Sequence, residues 1–176
     1  MKSRKLTALT VGAMAIGLFA VPTHAPAADN ENFSARLLGD NEVPPINSNG
    51  SATFRMTVGT AITFTLKFAN LSGNPTVSHL HFGQDRVSGG VMIFLCGGGN
   101  QPACPAATSG TITGTITAAN VTGPTTQGIA AGDLTSALEA VRDGEAYCNM
   151  HTPNFPAGEI RGQVVRGDRG DRGGDN

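Results

Sequence analysis

From Phe33 onward, apolar and polar side chains alternate in short runs cut by glycine, asparagine and proline, and this period of two limits the possible folds more than any other feature. Successive side chains of a strand point to opposite faces, so such alternation marks strands with one buried face. Phe33, Ala35 and Leu37 alternate with Ser34, Arg36 and Leu38. Ala52, Phe54, Met56 and Val58 alternate with Thr53, Arg55 and Thr57. After Gly59-Thr60 the pattern resumes with Ile62, Phe64, Leu66 and Phe68 against Thr63, Thr65 and Lys67, so the last two runs read as a β-hairpin.

The remaining segments fit the same class. Glu42-Val43-Pro44-Pro45 cannot continue a central strand, since two prolines remove two ladder donors, and is a stiff edge or loop. Asn47-Ser48-Asn49-Gly50 is turn chemistry. Val91 to Leu95 is a continuous apolar run suited to an interior strand, and Gly110 to Thr117 places Ile112 and Ile116 on one face. One stretch breaks the pattern: Leu134, Leu138 and Val141 recur at helical spacing behind Asp133, a capping residue, and Asp143-Gly144 ends the run. Glu159 to Val165 reads as the last strand. About eight short strands and one short helix predict an all-β, antiparallel sandwich or barrel.

The N-terminus carries Lys2, Arg4 and Lys5, then an apolar run from Leu6 to about Val21, then Ala25-Pro26-Ala27. A short apolar core flanked by small residues is the pattern of a secretory signal peptide, not of a membrane span, so residues 1–28 are expected to be removed and the mature chain to be secreted or periplasmic. Without that leader the chain keeps 9 Lys and Arg against 13 Asp and Glu. This balance argues against nucleic acid, which demands a cationic surface, and no membrane association is expected once the leader is removed. At its other end, residues 167–176 continue a run of Arg, Gly and Asp with no apolar anchor, expected to be disordered. The domain is therefore placed at residues 29–166.

Cys96 and Cys104 bracket the turn-rich loop Gly97 to Ala103, and in an oxidising compartment they are the natural disulfide pair. Cys148 is left over. It shares a strand face with Ala146 and Met150, which predicts a buried, inert thiol.

Every histidine outside the leader lies in two segments, Val77 to Gly83 and Glu145 to Gln163. In a strand, His79 and His81 project from one face while Leu80 and Phe82 project from the other. Tyr147, Asn149 and His151 likewise oppose Ala146, Cys148 and Met150. With the apolar faces turned inward, His79, His81 and His151 are expected on an outer, wettable surface, where three imidazoles suit copper or zinc, while magnesium and calcium prefer oxygen. Glu159 or Asn149 is the expected acceptor fixing a ring tautomer. Glu159 and Arg161, which share a strand face, are expected to pair with each other or with Glu42.

Several blocks together resemble the CHRD domain, a family named for its occurrence in chordin. They are Phe33-Ser34-Ala35-Arg36-Leu37-Leu38-Gly39 with Glu42-Val43-Pro44-Pro45, Gly50-Ser51-Ala52, His79-Leu80-His81-Phe82-Gly83, Tyr147-Cys148-Asn149-Met150-His151-Thr152, and Pro156-Ala157-Gly158-Glu159-Ile160-Arg161-Gly162-Gln163. They follow the family's order over about residues 31–166 and identify the chain as a secreted, bacterial-looking, single-domain member. The resemblance implies an extracytoplasmic Greek key of immunoglobulin or copper/zinc superoxide dismutase type, and no settled reaction.

Three functional readings follow. The first is a metal-binding module in which His79, His81 and His151 hold copper or zinc. The second is a structural or interaction module, without a metal, for an extracellular protein partner. The third, a dismutase-like enzyme, is disfavoured, because that copper takes four histidines, one shared with zinc, and the mature chain has three. Nucleophilic hydrolysis has no support, since no Gly-x-Ser-x-Gly occurs. The chain reads as a binding protein before it reads as an enzyme, with no catalytic residue assigned.

Overall fold

A computed structural model describes residues 30–167. The expected signal peptide at 1–28 and nearly all of the expected tail at 167–176 lie outside those residues. The described chain is all-β, with nine strands and one α-helix: β1 (Glu31–Leu38), β2 (Ser51–Val58), β3 (Ile62–Ala69), β4 (Val77–Phe82), β5 (Gly90–Cys96), β6 (Gly110–Ile116), α1 (Leu134–Arg142), β7 (Ala146–His151), β8 (Ile160–Gln163) and β9 (Val165–Arg166). Their antiparallel order is β5-β4-β7-β8-β1-β2-β3-β6, with β9 added to β1. The two end strands approach each other, so the sheet nearly closes into a barrel.

The alternation in sequence becomes the inside and outside of this barrel. Phe33, Ala35 and Leu37 of β1, Ala52, Phe54 and Met56 of β2, and Phe64, Leu66 and Phe68 of β3 fill one side of the core, with the Phe54 and Phe64 rings 6.4 Å apart. Leu80, Ala146, Cys148, Met150 and Ile160 fill the other. β2 and β3 form the expected hairpin, in register from Ser51 opposite Ala69 to Val58 opposite Ile62.

The helix is where the 3.6-residue spacing put it. Asp133 caps it by accepting from the Ser136 amide at 3.0 Å, and Ala137, Leu138, Ala140 and Val141 bury its apolar stripe. Gly144, at φ +75, then turns the chain into β7.

Two expectations need correction. The apolar run at 91–95 is not interior to the sheet order: β5 is an end strand, and it is buried because an Ile93–Val121 bridge and the nearby β6 cover its second side. The final strand is also interrupted. β8 ends at Gln163, Val164 turns its side chain into the core while its amide donates to the Ala146 carbonyl at 2.8 Å, and β9 resumes along β1.

Cys96 and Cys104 are joined as a disulfide, and Cys148 is a buried free thiol, both as expected. Burial pushes the Cys148 thiol pKa far up, so it stays protonated and unreactive.

Candidate metal centre

β4 and β7 are neighbours, and their register builds the site. His79 lies opposite Asn149, His81 opposite Tyr147, and Val77 opposite His151. His79 and His81 are therefore two residues apart on one face, and His151 sits diagonally from His79 on the adjacent strand. Both spacings, about 7 to 8 Å between backbone positions, are within reach of converging rings. Bulges in the β4–β5 pairing, between Ser78 and His79 and between Leu80 and His81, shift the register beside the histidines.

The rings converge. The His79 centroid is 4.4 Å from that of His81 and 4.7 Å from that of His151. One nitrogen from each ring lies within 4.8 Å of the other two, so the three side chains could hold a metal ion. Tetrahedral coordination at 2.0 to 2.1 Å puts ligand nitrogens about 3.4 Å apart, so the widest pair must close by about 1 to 1.5 Å at most.

The three histidines share the outer sheet face, as the alternation predicted, but that face is not wettable. His79 is 5% and His151 9% exposed, and His81 is half-buried. Loops that no period-two pattern describes fold over them. His81 Nδ1 bonds the Gly89 carbonyl at 2.8 Å, and His151 Nδ1 bonds the Pro156 carbonyl at 3.0 Å. Phe94 packs edge-on against His79 at 5.3 Å, and Tyr147 stacks on His81 at 4.5 Å.

Each ring keeps one buried nitrogen with no hydrogen-bond partner among the described residues: Nδ1 of His79, Nε2 of His81 and Nε2 of His151. Three such orphans in one cluster are unusual, because buried polar atoms are nearly always paired. Burial, with the neighbouring His81 and His151, pushes the His79 pKa down to about 2. Burial also takes His81 down to about 4 against the pull of the Gly89 carbonyl, and lowers His151 against that of Pro156. All three rings are therefore neutral at physiological pH, the state in which imidazole ligates.

The expected partners of the histidines lie elsewhere. The tautomers of His81 and His151 are fixed by backbone carbonyls, not by Glu159 or Asn149. Asn149 donates to Glu42 at 2.6 Å. Glu159 is fully buried and accepts from the hydroxyls of Ser48, Ser72 and Thr152 and from the Ser72 amide, at 2.6 to 2.8 Å. Burial raises its pKa, but these four bonds outweigh it and hold the carboxyl below its ordinary value. Arg161 joins neither acid. It donates from Nη2 to the Gln84 and Val87 carbonyls at 3.0 and 2.9 Å and lies 3.4 Å over the Tyr147 ring. No ion pair links Glu42, Glu159 and Arg161: Glu42 takes the Asn149 amide, Glu159 the hydroxyls of Ser48, Ser72 and Thr152, and Arg161 the loop carbonyls.

A family model described as the CHRD domain matches residues 33–164, and the chain belongs to that family. No curated protein and no solved structure gives a significant match.

Proposed function

We propose that this CHRD-domain chain is an exported metal-binding protein, and that His79, His81 and His151 hold one copper or zinc ion. The observation that carries the reading is the set of three buried, partnerless nitrogens on neutral rings, with ligand atoms within 4.8 Å of one another. An all-nitrogen ligand set suits copper and zinc and is poor for magnesium and calcium. The carbonyls of Gly89 and Pro156 support it as outer partners, since each fixes one ring nitrogen as donor and leaves the other to ligate.

The burial of those nitrogens bears on the role. A catalytic metal keeps a position open to water or substrate, whereas here Phe94, Tyr147 and the loops close over the cluster. The ion is thus retained, steadying the loops around it. Export is supported by the leader at residues 1–28 and by the Cys96–Cys104 disulfide, which suits an oxidising compartment. Among the described residues no helix is long and apolar enough to cross a membrane.

Calorimetric titration of the untagged mature chain tests the reading. One equivalent of copper or zinc is expected to bind, with no heat from magnesium or calcium. Absence of copper and zinc binding would leave a metal-free interaction module, its histidines packed against Phe94 and Tyr147 for stability alone.

A further inference from the structure

The outer face of β1, β2, β3 and β6 lies on the half of the sheet away from the histidines, and its side chains form regular cross-strand rows. Pairing sets Arg36 opposite Thr53, Thr53 opposite Lys67, and Lys67 opposite Thr111. In the next row Arg55 stands between Ser34 and Thr65. Arg36, Arg55 and Lys67 are all exposed. Strand spacing and pleat place the backbones of Arg36 and Lys67 about 10 Å apart, with Arg55 about 8 Å from each.

The charge on this face is one-sided. Its other outward positions are mostly serine, threonine and asparagine, and no carboxylate projects from it. The nearest acid in these strands, Glu31, points the other way and is bonded to Arg142 and Arg166. Arg161 is buried. Among the described residues four exposed cations therefore lack an ion-pair partner, and three of them share this face, although the whole chain has net charge −1. A shallow depression of about 440 Å³ lies between Arg36 and Lys67.

We propose that this face binds an anionic polysaccharide. Three exposed cations with no buried donor among them hold a small anion poorly, since single surface ion pairs contribute little; a chain that repeats its charge engages all three at once. The intervening threonine hydroxyls donate to and accept from sugar hydroxyls. Single-stranded nucleic acid would want aromatic platforms, and this face presents none. A bilayer would want a longer run of cations or an inserted apolar face.

Affinity electrophoresis of the mature chain tests the assignment, with polygalacturonate and heparin as acidic probes, dextran as neutral probe, and an oligothymidylate and phosphatidylserine vesicles as competitors. Retardation by the two acidic polysaccharides and none by dextran is expected, with binding that weakens with salt as for three or fewer neutralised charges. The triple substitution Arg36→Thr, Arg55→Thr, Lys67→Thr should weaken binding at least tenfold while leaving the melting temperature in place. Arg36→Lys with Arg55→Lys should retain it, and Arg86→Ser, off the face, should leave it unchanged. No retardation, unchanged binding by the triple variant, or stronger binding to the oligonucleotide or vesicles would each overturn the proposal.

Discussion

The guanidinium of Arg161 lies 3.4 Å from the centroid of the Tyr147 ring. Because β4 and β8 flank β7 on opposite sides, Tyr147 is held between that guanidinium and the His81 ring, which stacks on it at 4.5 Å and within 5° of parallel. Arg161 also grips the Gln84 and Val87 carbonyls, and the Tyr147 hydroxyl accepts from the Gly89 amide at 3.1 Å. One residue thus fastens the loop whose Gly89 carbonyl orients His81.

Replacing Arg161 with Met should therefore cost about 2 to 3 kcal/mol, from two unsatisfied carbonyls and the lost cation–π contact. Lys should rescue only part of this, since it keeps the charge and loses the planar fork. Urea unfolding measures the loss, and hydrogen exchange at residues 83–89 should accelerate in both variants. An Arg161→Met protein as stable as the parent would show that the loop is held by other contacts.

Glu42 and Glu159 should shift stability with pH in opposite directions. Burial raises the Glu42 pKa to about 7, against the Arg161 charge and the Asn149 bond. Its contribution is full below pH 4.5 and lost as pH rises through about 7. Glu159 is held below its ordinary value, so its contribution is present above pH 4.5 and lost as pH falls through the folded value. In metal-free protein, Glu42→Gln should gain on the parent from pH 5 to 8, as measured by urea unfolding at each pH. Glu159→Gln should lose about 2 kcal/mol at pH 7 and less in acid. A reversed sign for either variant would contradict its assigned environment.

How much of this was legible in the sequence depended on whether a side chain answers to its own strand or to a loop. Period-two spacing placed Phe33, Phe54, Leu66 and Cys148 inside, and His79, His81 and His151 together on the other face. It missed that this second face is covered, because the cover comes from Gly89, Pro156 and Glu42, which lie in loops whose paths no local pattern specifies. Arg161 and Glu159 went to carbonyls and hydroxyls for the same reason. The Tyr147–Arg161 stack left one trace: Tyr147 stands on the outward register of the strand that carries His151, and Arg161 on the next strand.

The thiols give a simple check. Cys148 is fully buried and the other two cysteines are bonded, so one thiol should react with a soluble reagent only after denaturation. Replacing Cys96 and Cys104 with Ser should cost about 2 to 3 kcal/mol by the loop-closure relation. A thiol that reacts in the native state would contradict the burial of Cys148.

Proton competition should set in late. With burial holding His79 and His81 neutral in weak acid, bound copper or zinc should be retained at pH 5 more fully than by a site whose imidazoles keep the ordinary pKa of about 6.5. Equilibrium dialysis across pH 4 to 8 measures the release, and half-loss near pH 6.5 would contradict the buried, neutral rings.

The most direct measurement of the central claim is X-ray absorption at the metal edge of the mature chain loaded with one equivalent of copper or zinc. Three imidazole nitrogens at about 2.0 to 2.1 Å are expected, falling to two in His151→Ala, with circular dichroism showing that the variant remains folded. A first shell made only of oxygen, or a His151→Ala spectrum identical to the parent's, would contradict it.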